Sequence, residues 1–455
     1  MLKKILIYGI GTFFSKILVF FMVPIYTRFL TPADYGYYDV LLSNMQLLAT
    51  VAFMEIWSGI IRFMFDAKEP FASIKSFFSL FPVFGIIYAV LFIISYNIFD
   101  FRFPVIAFSY GLAYVLFSVM NSICRGLEKN IDYVISGVIS TIISCSFSFF
   151  ALVVFNMGCD SLLLSLIAGY ICSILFIEFR THAIRCSLRA EISSNNKKSI
   201  FLYCLPLMLN TFSYSFLSLF NKNIIISKIG ESASGYYAVA EKVSAVLALG
   251  ISIYLLAWQE EAFANSNNDK QAVIYSYYLN QFIRFIGLLV PVYMLCCYFL
   301  MPLINGTQFS AALTLIPLFS LQVYISQLSG FFSTIIAVNK RTFRILFSTI
   351  IGSIVNIAFM IILVPRIGEL ASNVSLCIAF SVCALLRYYF SQCVVKIRFS
   401  FFWAIIVLLE FSIAYFLFIM GNVFFIALAL FFFMFVWILA NISEFKQILS
   451  RLSCI

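Results

Sequence analysis

Uninterrupted apolar runs of about 20 residues restrict the fold of this chain more than any other feature of its sequence. Such a run, for example 74–97, can cross the ~30 Å hydrocarbon core of a bilayer as a helix. Only 11% of the residues are charged, against about 25% in a soluble domain. A membrane barrel would alternate polar and apolar residues, which this chain does not do. The sequence therefore predicts an all-α, polytopic membrane protein.

The apolar runs predict about fourteen transmembrane helices. The connections between them are short, and the longest polar connection, around 180–199, follows the sixth span. The predicted spans are 5–27, 37–61, 74–97, 103–123, 131–156, 161–179, 200–227, 236–258, 280–303, 311–337, 343–364, 370–391, 400–419 and 422–440.

The positions of the lysines and arginines predict the orientation. With the N-terminus in the cytoplasm, only four of the 29 fall in outer loops, namely Arg28, Arg102, Lys228 and Arg366. This bias follows the positive-inside rule and predicts that both termini are cytoplasmic. The net charge of +10 has the same origin, so it gives no reason to expect a nucleic-acid partner.

A repeat divides the chain. Gly36-Tyr37-Tyr38 recurs as Gly235-Tyr236-Tyr237, and the two copies lie six spans apart. Because six is even, the two copies run in the same direction, as in transporters whose substrate site lies between parallel halves. We therefore expect two parallel six-helix repeats followed by a C-terminal helix pair. The predicted domains are an N-terminal bundle at 1–180, a cytoplasmic linker at 181–199, a C-terminal bundle at 200–395, and helices 13 and 14 with a cytoplasmic tail at 396–455.

Ionisable residues inside the predicted spans are the candidate functional residues. Each costs about 2.5–3.5 kcal/mol at mid-helix, so it should face the protein interior or a water-filled cavity. The candidates are the cations Lys16, Lys222, Lys242 and Arg284, with Arg28 at the outer end of span one, and the acids Asp39, Glu55 and Glu241.

Structural explanations exist for several of these candidates. Arg28, Lys222 and Arg284 lie near enough to an interface for their charged ends to reach water. Asp39 could pair with Arg28 across the turn. Lys16, near the middle of its span, is the hardest to explain in this way. The sequence contains no recognisable catalytic or metal-binding motif, and its twelve cysteines are scattered, which favours a transporter over an enzyme.

Two stretches resemble a known family. Pro24–Gly36 reads PIYTRFLTPADYG, and Gly235–Lys242 reads GYYAVAEK. Together with about fourteen spans in about 450 residues, they resemble the polysaccharide repeat-unit flippases (O-antigen, Wzx-type). These belong to the MATE-like multidrug/oligosaccharidyl-lipid/polysaccharide exporter superfamily.

The resemblance implies a flippase of the bacterial inner membrane. It would move undecaprenyl-pyrophosphate-linked oligosaccharide repeat units of O-antigen or capsule by alternating access. It also implies a cationic cavity, so that Lys16, Arg28, Lys222, Lys242 and Arg284 would bind the substrate. Family members are coupled to H⁺ or Na⁺, which makes the three acids named above candidates for the coupling site.

The implied partners are the lipid-linked substrate, membrane lipid, a polysaccharide polymerase and a chain-length regulator, with no cofactor beyond the coupling ion. Two alternatives remain open. One is another MATE-like exporter, for drugs or for lipid II. The other is a membrane polysaccharide polymerase, which would need a long outer loop that the predicted topology lacks.

Overall fold

The computed structural model describes residues 2–66, 70–99, 101–189, 194–265, 269–304, 306–339, 341–398, 401–420 and 428–438. These ranges are helical almost throughout and contain no β-strand, so the prediction of an all-α polytopic membrane protein is confirmed. The helices are α1 (Leu2–Phe29), α2 (Pro32–Ala52), α3 (Ile56–Asp66), α4 (Pro70–Phe99), α5 (Pro104–Gly126), α6 (Asn130–Phe149, extended by a π-turn at Phe150–Val154), α7 (Asp160–Thr181), α8 (Ala183–Arg189), α9 (Ser194–Lys228), α10 (Glu231–Ala264), α11 (Gln271–Ile304), α12 (Ala312–Val338), α13 (Thr342–Ile367), α14 (Leu370–Gln392), α15 (Phe401–Met420) and α16 (Leu428–Ile438).

Each predicted span has a helical counterpart, with two differences in detail. The span predicted as continuous at 37–61 is broken between α2 and α3. The segment 181–199, predicted as a linker, contains α8 and the start of α9. Of the last predicted span, 422–440, the structure describes only α16, and the predicted tail after it lies outside the described residues.

The outer surface of the helices fits a lipid environment. Among the described residues, nine helices are long and apolar enough to cross a membrane. On α4, for instance, Val83, Ile86, Val90 and Ile93 are each more than half exposed. A soluble protein would bury such a stripe, so we treat this chain as a multi-pass membrane protein.

The helices form two compact units, Met1–Gly235 and Tyr236–Ile455, and the boundary falls inside α10. The first turn of α10 therefore belongs to the first unit. The domain boundaries expected from the sequence, with bundles at 1–180 and 200–395, stay a prediction.

Aromatic packing forms the interior of the first unit. Phe53 and Tyr88 are completely buried, with ring centroids 6.1 Å apart. The Tyr88 hydroxyl donates to the carbonyl of Phe108 (3.2 Å). It also lies against Gly111 so closely that any side chain there would collide with it. Glycine at this position lets α4 and α5 approach, as small residues do in membrane bundles.

The second unit also combines aromatic packing with partly buried hydrogen bonds. Trp258 stacks on Phe331 with ring centroids 4.3 Å apart. Arg387 of α14 donates to the hydroxyls of Ser348 (2.9 Å), Ser329 (3.0 Å) and Thr349 (2.8 Å). These hydroxyls lie on α12 and α13, so the guanidinium ties three helices together. A partly buried cation is tolerated there because its donors are used.

The start of α2 is fixed by its own sequence. Thr31 is extended and its hydroxyl oxygen accepts from the backbone N–H of Asp34 (3.2 Å), which is a helix N-cap. Pro32 follows at the first helical position, where its missing N–H costs nothing. The turn between α1 and α2 is therefore only two residues long.

Candidate functional site

A cavity of about 180 Å³ lies in the first unit beside Lys16. We call it the Lys16 cavity. Its walls come from α1, α5 and α6 and include Ser15, Lys16, Phe117, Asn121, Tyr133 and Gly137. A cation, an amide and two hydroxyls therefore meet in a cavity whose remaining lining is apolar, and Lys16 itself is exposed. Lysine can hold an anionic oxygen through charge-assisted hydrogen bonds, and the amide and hydroxyls can bind further oxygens.

Neighbouring contacts hold the cavity walls in place. The Asn121 Oδ1 accepts from the Ser136 hydroxyl (2.7 Å), which links α5 to α6. The ring of Phe117 stacks on Tyr170 of α7 (centroids 4.5 Å apart). The guanidinium of Arg125 lies 5.8 Å from the ring centroid of Tyr133. The aromatic groups and the amide are thus positioned before any ligand binds, which reduces the entropic cost of binding.

A row of buried serines fixes α6 against α7. These serines recur every fourth residue and so share one helix face. The Ser148 hydroxyl donates to that of Ser165 (2.8 Å), and Ser173 donates to the Ser136 carbonyl (3.0 Å). The members of the row are Ser136, Ser140, Ser144 and Ser148. Such small residues allow close packing in a membrane bundle, and here they make one wall of the cavity rigid.

A second polar feature of the first unit is a buried ion pair. The Lys222 Nζ of α9 lies 2.7 Å from the Asp39 Oδ2 of α2 and 3.3 Å from the Ser43 hydroxyl. Only 5% of Lys222 and 1% of Asp39 is exposed. The sequence suggested that Asp39 caps its helix or pairs with Arg28 across the turn, and the structure pairs it with Lys222. Burial removes solvent screening, so the two charges depend strongly on each other.

Next to the ion pair, the two helices exchange amide hydrogen bonds. Asn44 of α2 and Asn223 of α9 each donate Nδ2 to the other's Oδ1 at 3.3 Å. The amide pair extends the ion pair into a short polar seam between α2 and α9. Polar side chains between membrane helices contribute about 0.6 kcal/mol each on average, so the seam is specific without being strong.

Arg102 forms a second charged group, at the N-terminal ends of α2 and α10. Its Nη2 pairs with Glu231 Oε2, and its Nη1 lies 3.5 Å from Asp34 Oδ1. Its backbone N–H donates to the Tyr37 hydroxyl oxygen (2.7 Å), and its guanidinium lies 4.5 Å from the Tyr37 ring centroid. We call these four residues the Arg102 cluster. The cluster draws the first turns of α2 and α10 toward the loop before α5.

The sequence-based candidates did not include Arg102, although a signal was present. It is one of four basic residues predicted on the outer side, against the general bias. An exception to that bias implies a structural or functional reason, and the cluster supplies one.

The two glycines of the sequence repeat meet at the same place. A methyl group at Gly36 would collide with backbone atoms of Glu231 and Gly235, and one at Gly235 would collide with the backbone of Pro32. Backbone atoms cannot move aside as a side chain can. The first turns of α2 and α10 therefore touch in a way that only glycine permits.

Glu55 lies at the break between α2 and α3. Met54 and Glu55 both have positive φ, 52° and 51°, which is unfavourable for residues with side chains. The Glu55 Oε1 accepts from the Ser58 hydroxyl (3.0 Å). Its Oε2 is buried and has no hydrogen-bond partner among the described residues. Strained backbone that positions a buried polar atom is often found at functional sites.

A family comparison adds to this geometry. Residues 1–258 match the model of a family described as "Polysaccharide biosynthesis protein". This match covers more than half of the chain. The chain belongs to this family. A search of curated proteins finds no match.

Solved structures with the same fold agree with the family. One is a lipid II flippase, MurJ, in an inward closed conformation, with 17% identity, a TM-score of 0.69, and 97% of this chain and 100% of that chain covered. Another is a multidrug resistance MATE family transporter of the MOP superfamily, inward-facing, with 17% identity, a TM-score of 0.68, and 83% and 94% covered. A third is a MOP superfamily transporter from Pyrococcus furiosus, with 15% identity, a TM-score of 0.60, and 86% and 95% covered. The predicted resemblance to a MATE-like polysaccharide exporter is confirmed for the family and the fold.

Four site residues predicted from the sequence remain to be placed, and none of them lines the Lys16 cavity. Arg28 is exposed in the last turn of α1. Glu241 and Lys242 are partly buried on α10. The guanidinium of Arg284 lies 5.3 Å from the ring centroid of Trp403. The substrate-binding and ion-coupling roles of these residues stay predictions.

Proposed function

We propose that this protein is a flippase for lipid-linked oligosaccharides. Its substrate would carry a pyrophosphate on undecaprenol, and it would move from the cytoplasmic to the outer leaflet of a bacterial inner membrane. The observation that carries this proposal is the Lys16 cavity, which provides a cation and neutral polar groups inside a membrane-spanning unit. The polysaccharide biosynthesis family and the fold shared with a lipid II flippase support it.

The chemistry of the substrate fits such a site. Phosphates and hydrated sugars cannot cross hydrocarbon without polar contacts. Lys16 would hold a phosphate oxygen, and Lys242, Arg284 and Arg28 would supply further positive charge along the route. Lys222 can join them only when its ion pair with Asp39 opens. An inside-negative potential would favour the outward movement of an anion by about 2.3 kcal/mol per charge per 100 mV.

We assign the ion pair, the Arg102 cluster and the glycine contact to closure of the predicted outer side. All three tie α2 to α9 or to the first turn of α10, and all lie in the first unit. Alternating access requires such contacts to form in one conformation and to break in another. A ligand that binds the open state more tightly would shift the equilibrium toward it.

Glu55 is our first candidate for coupling to H⁺ or Na⁺. It lies at a strained break in a membrane helix, and one of its carboxylate oxygens is buried. Asp39 and Glu241 are further candidates, and Asp39 would couple through its pair with Lys222. The expected partners besides substrate and lipid are a polysaccharide polymerase and a chain-length regulator.

Export in cells tests the proposal. Deleting the gene should abolish surface polysaccharide and cause lipid-linked repeat units to accumulate inside the cell. Lys16→Ala should fail to restore export although the protein is inserted, whereas Lys16→Arg should restore it in part because the charge is kept. Intact surface polysaccharide in the deletion strain would refute the function. Full export by Lys16→Ala would remove Lys16 from the site.

A lipid II flippase is the second candidate, because the similarity to a lipid II flippase extends over 97% of this chain. Both substrates are pyrophosphate-linked to a polyprenol, so Lys16 would serve either one. Complementation separates them, since a lipid II flippase would rescue a strain depleted of its own lipid II flippase. A polysaccharide exporter would leave that strain unable to grow.

A further inference from the structure

The Lys16 cavity also limits what part of the substrate it can hold. Its volume of about 180 Å³ is smaller than the roughly 300–1,000 Å³ of pockets for drug-sized ligands. It has room for one sugar ring and a phosphate oxygen, but not for an oligosaccharide. If Lys16 holds a phosphate oxygen, the sugar next to the pyrophosphate is the part of the substrate that meets the remaining walls.

We propose that the Lys16 cavity binds the first, pyrophosphate-linked sugar, and that Asn121 and Tyr133 determine this selectivity. This inference rests on the proposed flippase function and deepens it. It adds Asn121 and Tyr133 to the proposed substrate site, two residues that carry no formal charge and that were not among the candidates from the sequence.

The amide of Asn121 is suited to a sugar hydroxyl. Its Oδ1 accepts from the Ser136 hydroxyl at 2.7 Å, and this bond leaves the Nδ2 hydrogens as donors. Ser136 is completely buried, and its single hydroxyl hydrogen is shared between this Oδ1 and the Tyr133 carbonyl, which also lies 2.7 Å away. This contact with a buried side chain holds the amide in place, as a selective hydrogen-bonding group must be held.

Aromatic rings complete the cavity. Phe117 is held by stacking on Tyr170, and Tyr133 offers both a ring and a hydroxyl. The C–H faces of a sugar are apolar and pack on aromatic rings, while its hydroxyls need donors and acceptors. Arg125, one turn after Asn121 on α5, lies beside Tyr133 at the end of α5 that is predicted to be cytoplasmic. It is placed to attract an anionic substrate toward the cavity from that side.

Gly137 provides a way to fill the cavity without removing a polar group. It lines the cavity, and a Cβ atom built on it would have no neighbour within 4 Å. A larger side chain at this position therefore projects into open space, and leucine has a higher helix propensity than glycine. Gly85 on α4 is equally open but does not line the cavity, so Gly85→Leu is a matched control.

The experiment uses the full chain in lipid nanodiscs and two probes. One probe is undecaprenyl pyrophosphate, and the other is the same lipid carrying one hexose or N-acetylhexosamine. Titration followed by native mass spectrometry gives the affinity of each probe for the wild type, Gly137→Leu, Asn121→Leu, Lys16→Met and Gly85→Leu.

We expect the wild type to bind at least one sugar-bearing probe about tenfold more tightly than the bare lipid, the effect of one or two good hydrogen bonds. Gly137→Leu and Asn121→Leu should lose this preference but keep their affinity for the bare lipid. Lys16→Met should lower the affinity for both probes, and Gly85→Leu should behave as the wild type.

Two results would overturn the inference. If the wild type binds both kinds of probe equally, or if Gly137→Leu keeps the preference, the cavity does not select the sugar, although the flippase function stands. If the wild type binds none of the probes, the inference fails together with the proposed function.

Discussion

Removing the positive charge of the buried ion pair should destabilise the protein strongly. In the structure, Lys222 Nζ lies 2.7 Å from Asp39 Oδ2, and both residues are at most 5% exposed. Lys222→Met keeps most of the side-chain volume but leaves the Asp39 carboxylate buried without its counter-charge. Breaking a buried pair in this way costs about 3–5 kcal/mol. We expect the free energy of unfolding to fall by this amount.

The double variant Asp39→Asn/Lys222→Met distinguishes the loss of pairing from the loss of packing. It removes both charges, so no buried charge is left without its counter-charge, and the double variant should be clearly more stable than Lys222→Met alone. The difference between the double variant and the sum of the single variants gives the coupling energy of the pair. For two groups in direct contact, coupling of about 0.5–3 kcal/mol is usual.

The assay is unfolding of the purified protein in detergent, with the wild type, both single variants and the double variant measured side by side. Lys228→Met is the matched control, because Lys228 is an exposed lysine of the same helix and should change stability by no more than about 0.5 kcal/mol. The reasoning is refuted if Lys222→Met is as stable as this control. It is also refuted if the double variant is as unstable as Lys222→Met.

Four further predictions follow from single contacts. Gly36→Ala should lower the melting temperature and reduce export, because its methyl group meets backbone atoms. Gly85→Ala should be neutral, and equal effects of the two substitutions would argue against the glycine contact. Arg102→Gln should lower the free energy of unfolding by no more than about 1 kcal/mol, because the Arg102 side chain is 42% exposed. High salt should abolish this difference from the wild type, and a larger decrease that persists in high salt would contradict the prediction. Burial raises the pKa of the Cys159 thiol to about 11. Maleimide reacts with the thiolate, so in a variant that retains only this cysteine the labelling rate should increase about tenfold per pH unit from about pH 7 to 9. A plateau of the rate in that range would show that the pKa of Cys159 is lower. Arg387→Met should destabilise the protein by about 3 kcal/mol or more, measured as unfolding in detergent, because three hydroxyls lose a charged donor; wild-type stability would show that these bonds contribute little.

The helices themselves follow from the sequence. Lipid forces every backbone group to be paired within its own segment, so an apolar run of sufficient length must be a helix wherever it lies in the fold. This is why the predicted spans correspond to helices along the chain. The break between α2 and α3, where Glu55 lies, is the exception, because no proline or glycine marks it. It depends on how α2 and α3 pack against their neighbours.

The charges inside spans were likewise evident from the sequence, since their cost in lipid does not depend on tertiary structure. Lys16 stood out for this reason, and the structure places it in the wall of a cavity that it shares with Ser15, Asn121 and Tyr133. What each charge pairs with could not be predicted. Lys222 and Asp39 lie far apart in the chain, and they meet only because α2 and α9 pack with these two faces together.

Neutral residues are where sequence reasoning was weakest. Asn121 and Tyr133 resemble many other polar residues in membrane helices, and nothing in their spacing connects them to Lys16. Only the packing of α1, α5 and α6 puts the three side chains around one cavity. The sequence by itself thus determined where the membrane-spanning helices lie along the chain and the need to shelter a few charges, because these depend on the local cost of polar groups in lipid. Which groups meet was decided by the tertiary structure, because contacts between distant helices depend on the shapes of the faces that pack together.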